Sequence, residues 1–298
     1  MASERALVLP GLVPLTESAV SAVLDRRDGH LELAARSCRF DPDEVDRDQG
    51  STGLASTVHE ALLAVAVIRR TERENGRWAA YGGMSAGCLP ALLAAGAITE
   101  ETCFQLIWEI NSRQIAANRV RRSGSTLTVL ASSQGDARRL TEALRMREES
   151  AWLSVDLGSG LVAVSMRNTE PETIGPLLNK LGVSVMDTID RAEHCPYAVP
   201  GPQEFTDLLK EREFRTAEAA VVSPLTGKPV ENSPDAFRRM LVEQWFDTAS
   251  LPRLVEGLCG VDRVRAVDLV APEKSVYVAC TRRLLQDRAG HRFLRLPG

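Results

Sequence analysis

Residues 78–96 read WAAYGGMSAGCLPALLAAG, and this segment carries the strongest structural signal in the chain. The apolar run Trp78 to Gly82 predicts a strand, and Ala86 to Ala95 predicts a helix. Between them, Gly83 to Gly87 fit the pattern G-x-S-x-G in the strand, turn and helix context that this motif requires. Flanking glycines permit a strained turn, which would lift the Ser85 hydroxyl clear of the backbone. The segment therefore favours a nucleophilic serine over a glycine-rich turn that merely contains one.

The composition is that of an ordinary globular protein. The chain has 298 residues, 44% of them hydrophobic, and 36 basic against 40 acidic side chains leave a net charge of −4. No basic block dominates, which argues against a nucleic-acid partner, because phosphate binding needs a concentrated positive surface. The early apolar run Ala6 to Leu15 is too short and broken for a membrane span, and no targeting segment is visible. The cysteines and histidines show no metal-ligand spacing. We expect a cytoplasmic monomer without a metal site.

Further along the chain, strand and helix patterns alternate up to residue 124 and again from residue 191. Near the start, Leu15 to Leu33 has helical spacing that a charged stretch interrupts. Ser125 to Asp190 instead predicts the order βαββαβ, with helices at Asp136 to Met146 and Glu170 to Leu181, which is the ferredoxin-like arrangement. The predicted fold class is α/β: one domain of residues 1–124 and 191–298, interrupted by a small α+β domain of residues 125–190.

A nucleophilic serine needs a base, and the chain offers four histidines. His30 lies among charged residues and is predicted to be a solvated surface residue. His59 lies in the apolar helix predicted at Ala55 to Arg70, which could border a substrate pocket, but a buried structural role is favoured. His194 stands where the chain leaves the inserted domain, a natural position beside a cleft between the two domains. We favour His194 as the base.

His291 remains a competitor for this role. It follows Asp262 and Asp268 in the chain, so it suits the Ser, Asp, His order of an ordinary α/β-hydrolase. Against it, Arg288 to Arg292 form a polar, basic tail that looks frayed.

Seven short segments, taken together and in order, resemble the malonyl-CoA:acyl carrier protein transacylases and the related acyltransferase domains of polyketide synthases. The resemblance covers nearly the whole chain. It implies an α/β-hydrolase-like core with a ferredoxin-like insert, in agreement with the organisation above. The matching segments are Leu9 to Gly11 (F-P-G), Val58 to Val67 (T-Q-P-A-L), Gly83 to Gly87 (G-H-S-x-G), Ala94 to Ile98, His194-Cys195, Val221 to Val230, and Leu241 to Leu258 (L-x-x-Q-L…P-V-x-W).

The resemblance implies a role for each matching site residue. Ser85 would be the acylated nucleophile and His194 its general base, with the backbone N–H groups of Leu12 and Ala86 as oxyanion donors. The family orients its histidine by backbone carbonyls just after the strand that here ends at Val222. That position points to Ser223 and Pro224.

Three departures from the family pattern concern the residues around the nucleophile. Leu12 replaces a glutamine, so only its backbone can serve. Met84 precedes the serine where the family has histidine or glutamine, and Cys88 stands where an acidic residue often follows the motif. Both changes predict a more apolar pocket.

Two further departures bear on the acyl group. The family arginine that pairs with the malonyl carboxylate falls at Ile110, and an isoleucine cannot bind a carboxylate. Arg113, one helical turn further on, would substitute for it only in a different helix register. Glu193, directly before the favoured histidine, would repel an anionic acyl group. Malonyl is therefore disfavoured.

These observations predict a serine acyltransferase that moves a non-malonyl acyl group from acyl-CoA or an acyl carrier protein to an acyl carrier protein. No cofactor is expected, since the thioester is the substrate. One alternative is a thioester hydrolase of the same fold, and another is a non-catalytic protein that docks carrier proteins. Basic residues on one helix end, Arg119, Arg121 and Arg122, would suit an acidic carrier or a CoA phosphate, although a solvated helix end is the favoured explanation.

Overall fold

A computed structural model describes residues 4–11, 21, 24–25, 28–42, 54–120, 124–131, 133, 139–140, 142–143, 151–167, 176, 178–271, 275–286 and 288–295. At 54–60, 63 and 118–120 it describes the backbone alone.

Each of the two described sheets has five strands, and we name the sheets after the larger and the smaller predicted domain. The larger sheet is all parallel. Its strands are β1 (Arg5–Leu9), β2 (Ala80–Gly83), β7 (Ala220–Val222), β9 (Ala266–Ala271) and β10 (Gly290–Arg295), in the order β10-β9-β1-β2-β7. Helices cover both faces, so β2 and all of β1 after Arg5 are buried on both sides rather than alternating between buried and exposed residues. Ser85, the candidate nucleophile described below, follows the end of β2.

Eight described helices surround the sheets. They are α1 (Gly29–Cys38), α2 (Leu54–Asn75), α3 (Cys88–Ala94), α4 (Glu100–Val120), α5 (Pro202–Lys210), α6 (Pro234–Phe246), α7 (Leu251–Cys259) and α8 (Val276–Leu285). Alternate residues of β1 point to opposite faces. Leu7 and Leu9 join the hydrophobic cluster that includes side chains of α1 to α6, while Ala6 and Val8 join a second cluster with α7 and α8. The large sheet is therefore the middle of three layers.

The smaller sheet contains β3 (Ser125–Leu130), β4 (Trp152–Gly158), β5 (Leu161–Met166), β6 (Ser184–Ile189) and β8 (Ala249–Ser250), in the order β6-β3-β5-β4-β8. Its first four strands pair antiparallel, and β8 joins β4 in parallel. The α/β class with a ferredoxin-like insert is confirmed. Most of the two helices predicted in the insert lies outside the described residues. Because β8 comes from the main part of the chain, the smaller sheet extends beyond residues 125–190, and those domain limits stay a prediction.

One local expectation is confirmed and one is corrected. The interrupted helical pattern over Leu15 to Leu33 agrees with the described residues, since Ser21, Leu24 and Asp25 are helical and a separate helix begins at Gly29. The Asp28 side chain caps that second helix by accepting a hydrogen bond from the Leu31 N–H at 3.0 Å. The segment expected to be a frayed tail, Arg288 to Arg292, instead enters β10, which pairs with β9 along its full length.

Asp268 of β9 explains why β10 is held in place. Its carboxylate is fully buried and accepts hydrogen bonds from Arg5, from Arg292 of β10 (2.9 Å) and from the Trp78 indole N–H (2.8 Å). Burial acts to raise the pKa of Asp268, but these three donors outweigh it and hold the pKa below its usual value. The aspartate thus links the strands of the large sheet.

Within the described residues, no helix is long and apolar enough to cross a membrane. No described group of three His, Cys, Asp or Glu side chains is arranged to hold a metal ion.

Candidate active site

The G-x-S-x-G segment forms a sharp elbow between β2 and α3. Ser85 begins a short 3₁₀ turn and has φ of 51°, in the left-handed region that non-glycine residues rarely adopt. The two glycines supply space rather than unusual dihedral angles. A Cβ atom on Gly83 would lie 2.2 Å from the Gly87 carbonyl oxygen, and one on Gly87 would lie 2.0 Å from the Pro10 carbonyl oxygen. Close backbone packing therefore holds Ser85 in its strained conformation.

The structure brings Ser85 and His194 into hydrogen-bond contact. His194 Nε2 lies 2.7 Å from Ser85 Oγ, and His194 Nδ1 lies 2.6 Å from the main-chain oxygen of Gln244. A carbonyl oxygen can only accept, so Nδ1 carries the proton and Nε2 is the acceptor for the serine hydroxyl. This is the tautomer that a general base requires.

Gln244 takes the place that an acidic residue holds in a Ser-His-Asp triad. It lies in the last turn of α6, where carbonyl groups have no partner within the helix and the helix dipole is negative. Its carbonyl both orients the imidazole and favours the positive charge that the ring acquires on taking a proton. Its amide Nε2 also lies 3.4 Å from the Ser85 carbonyl oxygen.

The expectation that Ser223 and Pro224 orient the histidine is wrong. The Pro224 carbonyl accepts a hydrogen bond from the Ser250 N–H at 3.0 Å, and the Ser223 main chain pairs with Lys228. Gln244 was missed because the chain must fold before α6 reaches the histidine. Its sequence signal was the L-x-x-Q match within Leu241 to Leu258, to which no role was attached.

The competing histidine is far from the nucleophile. His291 is an exposed residue of β10, level with the first residue of β2, whereas Ser85 follows the last. Three strand spacings, about 14 Å, also separate β10 from β2. Asp268 is bonded to arginines and a tryptophan rather than to a histidine, and Asp262 is exposed. The Ser, Asp, His arrangement is not formed.

Of the other two histidines, only His30 has a described side chain. His30 lies beside Glu100, at the start of α4, and is partly exposed. His59 lies in α2 in the region where only the backbone is described, so its predicted place beside the pocket stays a prediction.

A buried hydroxyl network holds the loop that carries His194. Ser165 Oγ, on β5, donates to the Glu193 carbonyl at 2.7 Å, accepts from the Glu193 N–H at 3.2 Å, and contacts Thr126 Oγ1 at 2.7 Å. Thr126 Oγ1 lies 2.8 Å from the Arg191 carbonyl, and Ser154 Oγ lies 2.6 Å from Ser165 Oγ. The smaller sheet therefore positions the histidine through its own side chains.

A cavity opens beside Ser85. It has about 40 Å³ of space accessible to water, enough for about three water molecules. One face of α4 forms a wall with Ile107, Ile110, Asn111 and Gln114, which have the i, i+3, i+4, i+7 spacing of one helix face. The remaining lining residues are Ser85, Ala86, Leu89, Arg191, Glu193, Phe205, Leu241, Gln244 and Trp245.

The cavity contains an arginine that the sequence reasoning did not assign. Arg191 Nε lies 2.7 Å from Glu193 Oε1, and Arg191 Nη1 lies 2.8 Å from Asn111 Oδ1. Arg191 and Glu193 are both buried. Glu193 was expected to stand as a carboxylate beside the pocket, but its charge is balanced by Arg191. The sequence signal that could have identified Arg191 as a cavity residue is its position two residues before Glu193.

Ile110 lines the cavity, as the alignment of α4 predicted. The alternative residue, Arg113, does not: its side chain is 42% exposed and pairs with Glu204 at 2.7 Å. The register in which Arg113 would face the acyl group is therefore excluded.

The expected substrate contact of Met84 is wrong. Met84 is fully buried in the cluster that packs against α7 and α8, away from the cavity-lining set. Cys88 is also buried, and its thiol donates to the Gly83 carbonyl at 3.1 Å, so it stabilises the elbow instead of lining the pocket. Burial raises the pKa of this thiol to about 12.

The predicted oxyanion donors are only partly described. Ala86 lines the cavity directly after Ser85, while Leu12 lies outside the described residues. The adjacent Gly11 packs against the nucleophile, since a Cβ atom there would lie 3.0 Å from Ser85 Cβ. Arg121 and Arg122 lie outside the described residues, and for Arg119 only the backbone is described.

The chain matches no family model and no curated protein by sequence. Solved structures do match along its whole length. Malonyl-CoA:acyl carrier protein transacylase from Xanthomonas oryzae pv. oryzae has a TM-score of 0.83 at 16% identity, covering 100% of this chain and 96% of that one. A malonyl-transacylase in complex with its type II polyketide synthase acyl-carrier protein gives 0.80 at 17%, covering 98% and 96%. The acyltransferase domain of SpnD gives 0.79 at 16%, covering 98% and 71%. The chain therefore has the fold that these transacylases and polyketide synthase acyltransferase domains share.

Proposed function

We propose that this protein is a serine acyltransferase that moves a non-malonyl acyl group from a thioester to an acyl carrier protein through an acyl-Ser85 intermediate. The observation that carries the proposal is the 2.7 Å contact between His194 Nε2 and Ser85 Oγ, with Nδ1 held by the Gln244 carbonyl. A strained serine, a base in the correct tautomer and an adjoining cavity are the parts that acyl transfer needs.

In the first half-reaction, Ser85 Oγ attacks the thioester carbonyl carbon as His194 Nε2 takes the hydroxyl proton. The backbone N–H of Ala86, and in this proposal that of Leu12, stabilise the oxyanion. The C–S bond then breaks, and the leaving thiolate takes the proton from His194. The second half-reaction runs in reverse order: His194 deprotonates the carrier thiol, which attacks the serine ester and releases Ser85. CoA or phosphopantetheine enters only as part of the substrate.

Two features of the cavity support a non-malonyl acyl group. Ile110 presents a hydrocarbon surface where a carboxylate-binding arginine would be needed. Arg191 is the arginine that lines the cavity, but its charge is already balanced by Glu193, whose Oε1 lies 2.7 Å from Arg191 Nε. A malonyl carboxylate would therefore lie close to a second carboxylate, which is unfavourable in a buried site.

The carrier protein as partner is supported by the fold neighbour that was solved with its acyl-carrier protein. In this proposal the reaction serves fatty acid or polyketide-type biosynthesis in the cytoplasm, with the enzyme as a monomer. Transfer and hydrolysis differ in whether a thiol or water attacks the acyl-serine, and the experiment below separates them.

The test is intact-mass measurement after brief incubation with malonyl-, acetyl-, propionyl- and longer neutral acyl-CoA thioesters. We expect neutral acyl groups to add to the wild type and not to Ser85→Ala. His194→Ala should slow acylation by about 100- to 10,000-fold, whereas the matched variant His291→Ala should acylate at the wild-type rate.

Several outcomes would contradict the proposal. Acylation that persists in Ser85→Ala would exclude the serine mechanism, and the opposite behaviour of the two histidine variants would restore the ordinary hydrolase arrangement. Efficient malonyl loading would refute the stated specificity. Adding a carrier protein to the acylated enzyme should move the mass to the carrier; free acid instead would indicate a hydrolase.

A further inference from the structure

The cavity beside Ser85 is lined mainly by hydrocarbon. Six large apolar side chains, all buried, contribute to its wall: Leu89, Ile107, Ile110, Phe205, Leu241 and Trp245. They come from four helices, α3 to α6, so the apolar surface surrounds the space rather than forming one side of it. A group that enters such a space gains by removing apolar surface from water, whereas a polar group loses its hydration.

The polar side chains of the lining are bonded to one another or turned into the protein. Arg191 Nε lies 2.7 Å from Glu193 Oε1, and Arg191 Nη1 lies 2.8 Å from Asn111 Oδ1. Three further polar atoms of the lining have almost no accessible surface and so do not face the cavity: Gln114 Nε2, Gln244 Oε1 and Trp245 Nε1. The hydrocarbon surface is therefore the part of the wall that an acyl group would contact.

The size of the cavity bounds the length of that acyl group. Its space of about 40 Å³ holds about three water molecules, and a methylene or methyl group takes up roughly the room of one. The space therefore matches about three carbon atoms beyond the thioester carbonyl, as in a butyryl group.

An aromatic pair leads away from the catalytic base along one side of the cavity. The Trp245 ring centroid lies 6.1 Å from that of His194 and 5.2 Å from that of Phe205, which it stacks on at 21°. Phe205 also meets the Phe246 ring edge-on at 6.4 Å. Because two neighbouring rings hold it, Phe205 cannot move aside without separating them.

From this lining and this size we infer that Ser85 carries a short hydrocarbon acyl group, of about butyryl length, and that Phe205 sets the upper limit of its length. The inference rests on the proposed function and deepens it by naming the substrate class. It assigns to Phe205 a part in specificity that is separate from the chemistry of Ser85 and His194.

The experiment measures the rate of Ser85 acylation by acetyl-, propionyl-, butyryl-, hexanoyl- and octanoyl-CoA, each well below saturation. Intact mass reports the adduct, and Ser85→Ala serves as the blank. We expect the rate to rise about fourfold per carbon from acetyl to butyryl, the gain from burying one methylene group. The rate should fall at least about 10-fold from butyryl to hexanoyl, because the longer chain does not fit.

A polar analogue tests the hydrocarbon class separately from length. 3-Hydroxypropionyl-CoA has as many non-hydrogen atoms as butyryl-CoA, but its acyl chain ends in a hydroxyl group instead of a methyl group. It should react about 10-fold more slowly than butyryl-CoA, because the hydroxyl loses its bonds to water against an apolar wall.

A pair of phenylalanine variants tests the limit on length. Phe205→Leu enlarges the space and should raise the ratio of the hexanoyl to the butyryl rate about 10-fold. Phe237→Leu is the matched control, since Phe237 is as fully buried as Phe205 but lies outside the cavity lining. Thermal melting should show a similar loss of stability in both variants, while Phe237→Leu keeps the wild-type ratio.

The outcomes separate the inference from the proposed function. Octanoyl or 3-hydroxypropionyl loading as fast as butyryl loading, all dependent on Ser85, would overturn the inference and leave the acyltransferase standing. A rate ratio that Phe205→Leu does not change, or that Phe237→Leu changes equally, would refute the role of Phe205. No adduct with any thioester would refute the proposed function, and the inference with it.

Discussion

The nucleophile and its base are held by two different parts of the molecule, in two different ways. Ser85 follows the interior strand β2 of the larger sheet, and neighbouring backbone groups confine it. His194 lies on a loop that hydroxyl groups of the smaller sheet anchor, and its ring is oriented by α6. The first arrangement is local in sequence and depends on the absence of side chains. The second is assembled from three distant segments and depends on hydrogen bonds.

This difference indicates how each part should respond to substitution. The sterically confined elbow should not tolerate an added methyl group, because the surrounding backbone atoms cannot move aside for it. A hydrogen-bond network loses part of its energy when one member is removed, and the fold survives. The three predictions below test this distinction, beginning with the largest expected effect.

Gly87→Ala should be the most damaging single change. The new Cβ would lie 2.0 Å from the Pro10 carbonyl oxygen and 2.7 Å from that of Leu9, so the elbow must move away from β1. We expect a loss of about 3 kcal/mol or more in the free energy of unfolding, seen as a Tm lowered by roughly 6 °C or more. Ser85 acylation should be lost as well.

Gly29→Ala is the control for this change. Gly29 is exposed at the start of α1 and an added Cβ would meet nothing within 4 Å, so alanine should be neutral or slightly stabilising. If the Tm of Gly87→Ala equalled that of the wild type, the elbow would not be sterically confined. The contrast drawn here between Ser85 and His194 would then be wrong.

Asp268→Asn tests an ionic contact within the larger sheet. The substitution leaves Arg5 and Arg292 without their buried counter-ion and should cost about 2 kcal/mol of unfolding free energy at pH 7. Because the folded-state pKa of Asp268 is lowered, its stabilisation is complete above the unfolded value near 3.8 and is lost as the pH falls through the folded value. The difference in unfolding free energy between wild type and Asp268→Asn should therefore shrink below about pH 4.

Urea unfolding at a series of pH values measures this difference. Asp262→Asn, an exposed aspartate nearby in sequence, should change stability by less than about 0.5 kcal/mol at any pH. A gap between Asp268→Asn and wild type that stays constant down to pH 3 would contradict the pKa argument.

Ser165→Ala should have the mildest effect on stability and a separate effect on rate. It removes the hydroxyl that bonds to both the carbonyl and the N–H of Glu193, at an expected cost of about 1 to 2 kcal/mol. The loop that carries His194 should then shift, and the acylation rate should fall about 10-fold, since small misplacements of a base are costly. Thr188→Ala, an exposed threonine of β6, should change neither.

The two readouts distinguish a positioning role from a structural one. Lower stability with an unchanged acylation rate would show that the hydroxyl network supports the fold without orienting the base. That result would remove the proposed link between the smaller sheet and His194.

Much of the architecture could be predicted because it depends on local patterns. The continuous apolar run Trp78 to Gly82 identified the strand before the elbow, observed as β2, and Ala86 to Ala95 identified the helix after it, observed as α3. The edge strand β10 was missed because His291 and its neighbours are polar, and they are stabilised by Asp268 of β9, which no local pattern reveals. Gln244 was missed for the same reason, because its partner His194 is 50 residues away. Arg191 pairs with the nearby Glu193, but its place in the cavity depends also on Asn111, which is 80 residues away.

By itself, the sequence determined the elbow around Ser85, because strand, turn and helix there follow from contiguous residues and from glycines that leave room for backbone atoms. It also specified a second, antiparallel unit between the two parts of the main one. Only the tertiary structure decided which carbonyl orients His194, that Arg191 contacts Asn111 of α4, and which side chains line the cavity beside Ser85. Those contacts join segments that are distant in the chain, and their energies depend on separations of a few tenths of an ångström that folding alone establishes.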